Sequence, residues 1–148
     1  MEGERVCHRK TLEAELIIRQ TSSGNKKDLV VYVHGKDGST RESEHYKALF
    51  TNHEIIGFDY FCKTPWDAKK EFFAFFAAKK KLFDHIVLIA NSIGAFFAFS
   101  SLDENLVDVA YLISPIVDIE SLIYKMMQRS NITEKELAEK REISTAFG

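Results

Sequence analysis

The sequence predicts an α/β fold: a mostly parallel sheet of about five strands with helices on both faces. Short apolar runs alternate along the chain with stretches of helical periodicity, which is the pattern of successive βα units. Two of these runs, residues 29–34 and 85–90, are apolar almost without interruption. Such runs indicate central strands that are covered on both faces. The 148 residues are enough for a single hydrophobic core.

The predicted elements follow one another in the order of a βα series. Strands are expected at residues 12–20, 29–34, 54–60, 85–90 and 107–113. Helices are expected from Thr40 onward and over residues 65–82, 93–102, 116–127 and 133–143. Thr40 suits the N-cap of the first helix, and Thr64 caps the second with Pro65 at its first position. The third helical stretch, 93–102, is apolar almost all round, which predicts deep burial.

The character of the chain changes after Pro115. Two helical stretches follow it, the second highly charged, and no further strand is evident before Gly148. We therefore divide the sequence into the N-terminal part of an α/β core, residues 1–115, and a helical segment, residues 116–148.

Composition excludes several classes of function. The 20 basic and 22 acidic residues give a formal charge of −2, so no broad positive field exists to hold nucleic acid. Two cysteines cannot build a multi-disulfide scaffold, and their spacing suggests no metal. The N-terminus lacks the apolar run of a secretory signal, and no stretch approaches the roughly 20 apolar residues of a membrane span. These features predict a cytoplasmic protein without metal or organic cofactor.

The most informative segment lies where a predicted buried strand meets a predicted buried helix. Its residues are Ala90, Asn91, Ser92, Ile93 and Gly94. A serine between small residues on a tight strand-to-helix turn has the geometry of a nucleophile elbow. The helix that follows directs N–H groups and a positive dipole end toward a developing oxyanion. The simpler alternative is that Ser92 only caps this helix.

A second segment follows the first central strand. His34 and Gly35 begin a loop in which glycine lets the backbone pass close to a reacting carbonyl, so a loop N–H can donate to an oxyanion. A phosphate-binding loop fits poorly, because Lys36 is followed by Asp37 rather than by Ser or Thr, and the required upstream glycine is absent. A tight turn without chemistry is the remaining interpretation.

Together these two segments resemble the α/β-hydrolase superfamily of serine hydrolases, which includes esterases and lipases. His34-Gly35 is similar to its oxyanion loop, and residues 90–94 are similar to its elbow, with Ala90 where glycine is usual. The resemblance covers about residues 12–115.

The resemblance implies specific roles. Ser92 would be the nucleophile, and the backbone N–H groups of Ile93 and Lys36 would form the oxyanion hole. The helices in 116–148 resemble the start of a cap over an acyl pocket. The substrate would be a carboxylic ester or a related small acyl compound.

This chain departs from the family pattern at the general base. Family members supply an acid and then a histidine after the serine, whereas no histidine here follows His85. We expect a chain that stops before the acid and histidine and has little or no turnover, since a hydroxyl without a base is a poor nucleophile. His34 is the best substitute base, ahead of His8, His45, His53 and His85.

The sequence also offers a candidate for the catalytic acid. Asp118 lies just beyond the last predicted strand, at the sheet end where ligands bind, and is our candidate acid. The alternative is that Asp118 begins a helix, because a helix N-terminus favours a carboxylate. Asp59 faces the same sheet end and is interpreted as a structural or pocket residue.

Two other classes of function stay open. One is a non-catalytic binding or scaffold protein on the same fold, and the other is a flavodoxin-like domain binding a nucleotide or flavin. No glycine-rich loop here has a phosphate-binding order, which disfavours the flavodoxin-like domain. The apolar strand 107–113 would form an open edge with only Asp108 for protection, so we expect a homo-oligomer through that edge or through the C-terminal helices.

Overall fold

A computed structural model describes residues 28–141 of the chain. Four strands run through this range: β1 (Asp28–Val33), β2 (His53–Phe58), β3 (Ile86–Asn91) and β4 (Val109–Ile113). All pairings are parallel, in the order β2-β1-β3-β4. The fold is therefore α/β, and the described sheet has four strands rather than about five. The strand predicted at residues 12–20 lies outside the described residues.

The helices match the predicted places with shifted ends. They are α1 (Pro65–Lys80), α2 (Ser92–Ser101), α3 (Ile119–Ser130) and α4 (Glu134–Lys140). Thr64 caps α1 as predicted, accepting a hydrogen bond from the Asp67 N–H at 3.2 Å. The stretch expected as an amphipathic helix from Thr40 is a 3-10 helix, Thr40–Tyr46, and its N-cap is Ser39. The prediction of Thr40 as the cap was wrong, because Glu42 reaches back to the Ser39 N–H and starts the turn one residue earlier.

The core forms on both faces of β1 and β3. On one face, α1 and α2 cover the sheet with Phe72, Phe76 and Phe97. On the other face, Tyr46 and Phe50 pack on buried strand residues. Because successive side chains of a strand point to opposite faces, a strand covered on both sides must be apolar throughout, as these two are.

β4 differs from its neighbours because all five of its residues are exposed. Beside it, Phe99 of α2 is 80% exposed. The prediction that α2 is buried all round was thus wrong at this position: the helix is covered by the sheet and α1 but not on the side toward the β4 edge. Among residues 28–141, no helix is both long and apolar enough to cross a membrane.

Candidate active site

The parallel arrangement brings the carboxyl ends of all four strands to one edge of the sheet. The residues that follow these ends are His34 after β1, Asp59 after β2, Ser92 after β3 and Ser114 after β4. In open α/β sheets this edge is where ligands bind. The edge therefore holds both segments singled out from the sequence.

Ser92 lies at the junction of β3 and α2. Ala90 and Asn91 are the last two residues of β3, and Ser92 and Ile93 are the first two of α2. Ser92 has a φ of 52°, in the left-handed region that non-glycine residues rarely adopt. Such a backbone is typical of strained turns at functional sites. The side chain is half-buried.

The start of α2 leaves backbone donors beside Ser92. The first four N–H groups of a helix have no partner four residues earlier, and Ile93 is at the second position. Gly94, at the third position, lets the helix approach β1 closely: a methyl group added there would lie 2.3 Å from the carbonyl oxygen of His34. The first turn of α2 is thus packed against the chain at the end of β1.

The loop after β1, which we call the β1 loop (residues 34–39), meets Ser92 at Gly35. A methyl group added at Gly35 would lie 3.2 Å from Ser92 Cβ and 3.4 Å from the carbonyl oxygen of Asn91. Gly35 is itself buried. The two segments predicted to act together are therefore in contact, and a side chain in place of Gly35 would be crowded there.

Hydrogen bonds within the β1 loop hold its shape. The Gly35 carbonyl accepts from the Gly38 N–H at 3.2 Å and lies 2.8 Å from His34 Nδ1. Because a carbonyl oxygen only accepts, Nδ1 carries the proton of the imidazole. Asp37 has a φ of 60° at the tip of the loop, and Lys36 is exposed. The loop is a compact turn whose Gly35 carbonyl accepts two hydrogen bonds.

His34 is held by Tyr60. The two rings stack with centroids 4.6 Å apart and an angle of 17° between their planes. The Tyr60 hydroxyl donates to the His34 carbonyl oxygen at 2.8 Å. Between described residues, no hydrogen bond joins the Ser92 hydroxyl to a histidine. His34 as a general base stays a prediction without a contact that carries it.

Asp118 is the N-cap of α3. Its Oδ1 accepts from the Ser121 N–H at 2.9 Å, and its Oδ2 accepts from the Ser121 hydroxyl at 2.6 Å. These bonds hold the pKa of the exposed carboxyl below its usual range, the hydroxyl contributing most. Both carboxylate oxygens thus have partners within α3, which is the alternative role considered from the sequence. A role of Asp118 as catalytic acid stays a prediction.

Three polar residues around the β1 loop were missed by sequence reasoning: Tyr32, Glu42 and Tyr60. The Glu42 carboxylate accepts from the hydroxyl of Tyr32 and from the Ser39 N–H. The Tyr32 hydrogen bond, more than any other contact, lowers the pKa of Glu42. Burial raises the pKa of Tyr60 to about 12, so its hydroxyl is a donor at neutral pH. The sequence signal available for Tyr60 was a polar aromatic residue close to the end of a predicted strand.

Two concavities of the described structure lie away from Ser92. One groove of about 400 Å³ runs between α2 and β4 and is mostly apolar, with Phe99, Leu102 and Leu112 among its lining residues. A second, of about 350 Å³, lies along α3 and includes Asp118. Neither is lined by Ser92. Within residues 28–141, no cluster of His, Cys, Asp or Glu has an arrangement that could hold a metal ion.

Comparison with known proteins adds no identification to this geometry. No protein-family model matches the chain, and no curated protein is a significant relative of it.

Proposed function

We propose that this chain carries the nucleophile and oxyanion side of a serine hydrolase of the α/β-hydrolase type, acting on a carboxylic ester or related small acyl substrate. The observation that carries the proposal is the position of Ser92. It has a left-handed φ of 52° between the end of β3 and the first turn of α2, and it touches the β1 loop at Gly35. A side chain at such a turn stands clear of the strand and beside unpaired helix N–H groups.

The proposed chemistry is acyl transfer. Ser92 Oγ would form a bond to the acyl carbon, and the ester C–O bond would break as the alkoxide or phenolate leaves. The hydroxyl proton would go to solvent or buffer, since between the described residues no histidine is hydrogen-bonded to the Ser92 hydroxyl. The N–H groups of Ile93 and Lys36 would stabilise the tetrahedral oxyanion. Activated esters with good leaving groups should therefore acylate Ser92 slowly, and deacylation should be slower still.

Mass spectrometry tests this proposal directly. We expect incubation with p-nitrophenyl butyrate to add one butyryl group, located at Ser92 by fragment-ion mapping. The Ser92→Ala chain should not acquire this group, whereas the matched control Ser114→Ala should acquire it at the wild-type rate. Equal labelling of the wild-type and Ser92→Ala chains would show that the ester reacts elsewhere and would overturn the proposal.

A non-catalytic binding or scaffold protein is the second candidate, and it is favoured because no hydrogen bond between described residues joins the Ser92 hydroxyl to a histidine. In that case the strained turn at Ser92 would be structural. A folded chain with an unreactive Ser92 supports this candidate. The hydrolase proposal also includes a cytoplasmic location and a role of residues 116–148 as the start of a cap over the acyl pocket.

We extend the proposal to self-association through β4. All five residues of this strand are exposed, and the apolar groove beside it contains the 80% exposed Phe99. Asp108 was the only residue expected to protect this edge. Its Oδ2 instead accepts from Lys80 Nζ and from the Ile86 N–H, each at 2.7 Å. An apolar edge without charged protection favours strand pairing.

Sedimentation velocity over a range of protein concentrations tests the association. We expect dimers or larger species that Tyr111→Lys dissociates, since a charge on the edge opposes pairing. Leu82→Lys, at an exposed apolar position after α1, is the control and should leave the association unchanged. A monomer at high micromolar concentration would contradict it.

A further inference from the structure

We propose that Tyr60 is a positioning residue that, acting through His34, orients the backbone N–H of Lys36 toward Ser92. This inference rests on the proposed function, because the Lys36 N–H matters only if an oxyanion forms there. Its basis is a chain of contacts between Tyr60, His34 and Gly35 at the carboxyl edge of the sheet.

The first step is the fixed carbonyl of His34. The Tyr60 hydroxyl donates to this oxygen at 2.8 Å. On another side the oxygen faces Gly94, where an added methyl group would come within 2.3 Å. The carbonyl therefore lies between the tyrosine and the first turn of α2. Rotation of this peptide group would break the hydrogen bond or collide with the helix.

The second step is the orientation of the His34 imidazole. Tyr60 stacks on the ring with a centroid separation of 4.6 Å, and stacking restricts the ring to one plane. In this plane Nδ1 lies 2.8 Å from the Gly35 carbonyl oxygen and donates to it. Tyr60 thus holds both the main chain and the side chain of the same histidine.

The third step joins the Gly35 carbonyl to the Lys36 N–H. These two groups belong to one planar trans peptide unit and point in opposite directions. Whatever fixes the Gly35 carbonyl therefore also fixes the direction of the Lys36 N–H. The Gly38 N–H also donates to the Gly35 carbonyl, at 3.2 Å, from the far side of the turn. The peptide that the resemblance implies as an oxyanion donor is thus held by its own carbonyl.

Tyr60 suits this positioning role because its hydroxyl stays protonated and its ring packs against the core. Burial raises its pKa to about 12, so its hydroxyl keeps its proton at neutral pH. Its ring lies 5.4 Å from that of Phe72 and 5.9 Å from that of Phe97, both buried core residues. The rigid helix layer therefore supports the tyrosine, and the tyrosine supports the loop.

The test measures Ser92 acylation by p-nitrophenyl butyrate together with hydrogen exchange of the Gly38 amide, whose acceptor is the Gly35 carbonyl. In Tyr60→Phe we expect acylation about tenfold slower, less than the roughly 10²- to 10³-fold loss from removing an oxyanion donor. The Gly38 amide, which donates to the Gly35 carbonyl at 3.2 Å, should exchange faster, while the Val31 amide in β1 keeps its protection. A purely structural role would instead change the exchange of β1 along with the loop. The control Tyr111→Phe, a hydroxyl deletion on exposed β4, should change neither readout.

A conservative replacement completes the test. p-Aminophenylalanine at position 60 keeps the ring and restores an N–H donor, so we expect it to recover the protection of the Gly38 amide and most of the acylation rate. Unchanged exchange of the Gly38 amide in Tyr60→Phe would overturn the inference even if Ser92 is acylated normally. If the wild-type chain is not acylated, the proposed function fails, and the exchange measurements alone still decide whether Tyr60 orients the loop.

Discussion

The strands β3 and β4 are neighbours in one sheet, and the segments that follow their carboxyl ends begin in the same way. Asn91 and Ile113 are paired in register, and each is followed by a serine with positive φ, 52° at Ser92 and 44° at Ser114. Beyond this point they differ. A helix starts at Ser92, whereas Ser114 leads into Pro115 and an exposed segment without regular structure.

The difference shows that a strained serine at a strand end is not by itself a site. Ser92 is distinguished by its surroundings: the N-terminus of α2, the glycine contact with the β1 loop, and a glycine two positions later. Ser114 has Ile116 at the equivalent position and is exposed. Local conformation is shared by both serines, and of the two only Ser92 has the helix N-terminus and the glycine contact on which our proposal of acyl transfer rests.

The largest expected effect is a difference in pKa between a thiol placed at position 92 and one placed at position 114. In a chain with Cys7→Ser and Cys62→Ser, we expect Ser92→Cys to have a thiol pKa below the ordinary value of about 8.5, because a helix N-terminus stabilises a thiolate. Ser114→Cys should stay near the ordinary value. The rate of iodoacetamide alkylation against pH measures both, with the Ser92→Cys thiolate present at lower pH.

Cys62 provides a separate reference, measured in a chain that carries only Cys7→Ser. Burial raises its pKa to about 12, so it should alkylate slowly at neutral pH. Equal pKa values for the Ser92→Cys and Ser114→Cys thiols would show that the N-terminus of α2 does not stabilise a thiolate at position 92. The difference that we infer between the two strand ends would then be lost.

The next effect concerns the packing of the two regions. Gly94→Ala should destabilise the fold by about 1–3 kcal/mol, because its methyl group would lie 2.3 Å from a backbone oxygen that cannot move away easily. Leu112→Ala, on exposed β4 and 39% exposed, should cost about 1 kcal/mol or less. Urea unfolding compares them. A Gly94→Ala chain as stable as wild type would mean that α2 can shift from β1 without cost.

The smallest effect lies at the opposite end of β4. Hydrogen bonds from Lys80 and the Ile86 N–H hold the pKa of Asp108 below its usual range, the lysine contributing most. Because the folded pKa is lowered, this contribution is present above the unfolded pKa of about 3.9 and is lost as the pH falls through the folded value. At pH 7 the Asp108→Asn chain should have a lower free energy of unfolding than the wild-type chain. On acidification below about pH 4 it should lose less of that free energy than the wild-type chain does.

Unfolding midpoints between pH 2 and 7 for the wild-type and Asp108→Asn chains measure this difference. His85, with Nδ1 3.7 Å from Asp108 Oδ1, is a minor partner. Parallel pH curves for the two chains would contradict a stabilising role for the Asp108 contacts.

Much of the fold could be predicted because its signals are local. The unbroken apolar runs around Val31 and Leu88 indicated central strands, and Thr64-Pro65 indicated the start of a helix. The 3-10 helix was missed because the Glu42 to Ser39 bond and the packing of Tyr46 on the sheet outweigh the α-helical pattern. The exposed Phe99 was missed because hydrophobicity alone does not say which side of a helix lacks a neighbour.

Within the candidate site, the sequence by itself determined the place of Ser92, since small residues between an apolar run and an apolar helix require a tight turn. Only the tertiary structure decided what surrounds it. Tyr60, Gly35 and Gly94 meet at His34 from three separate segments, and their contacts depend on parallel register and helix placement. Because such contacts join residues up to 60 positions apart, no local pattern encodes them.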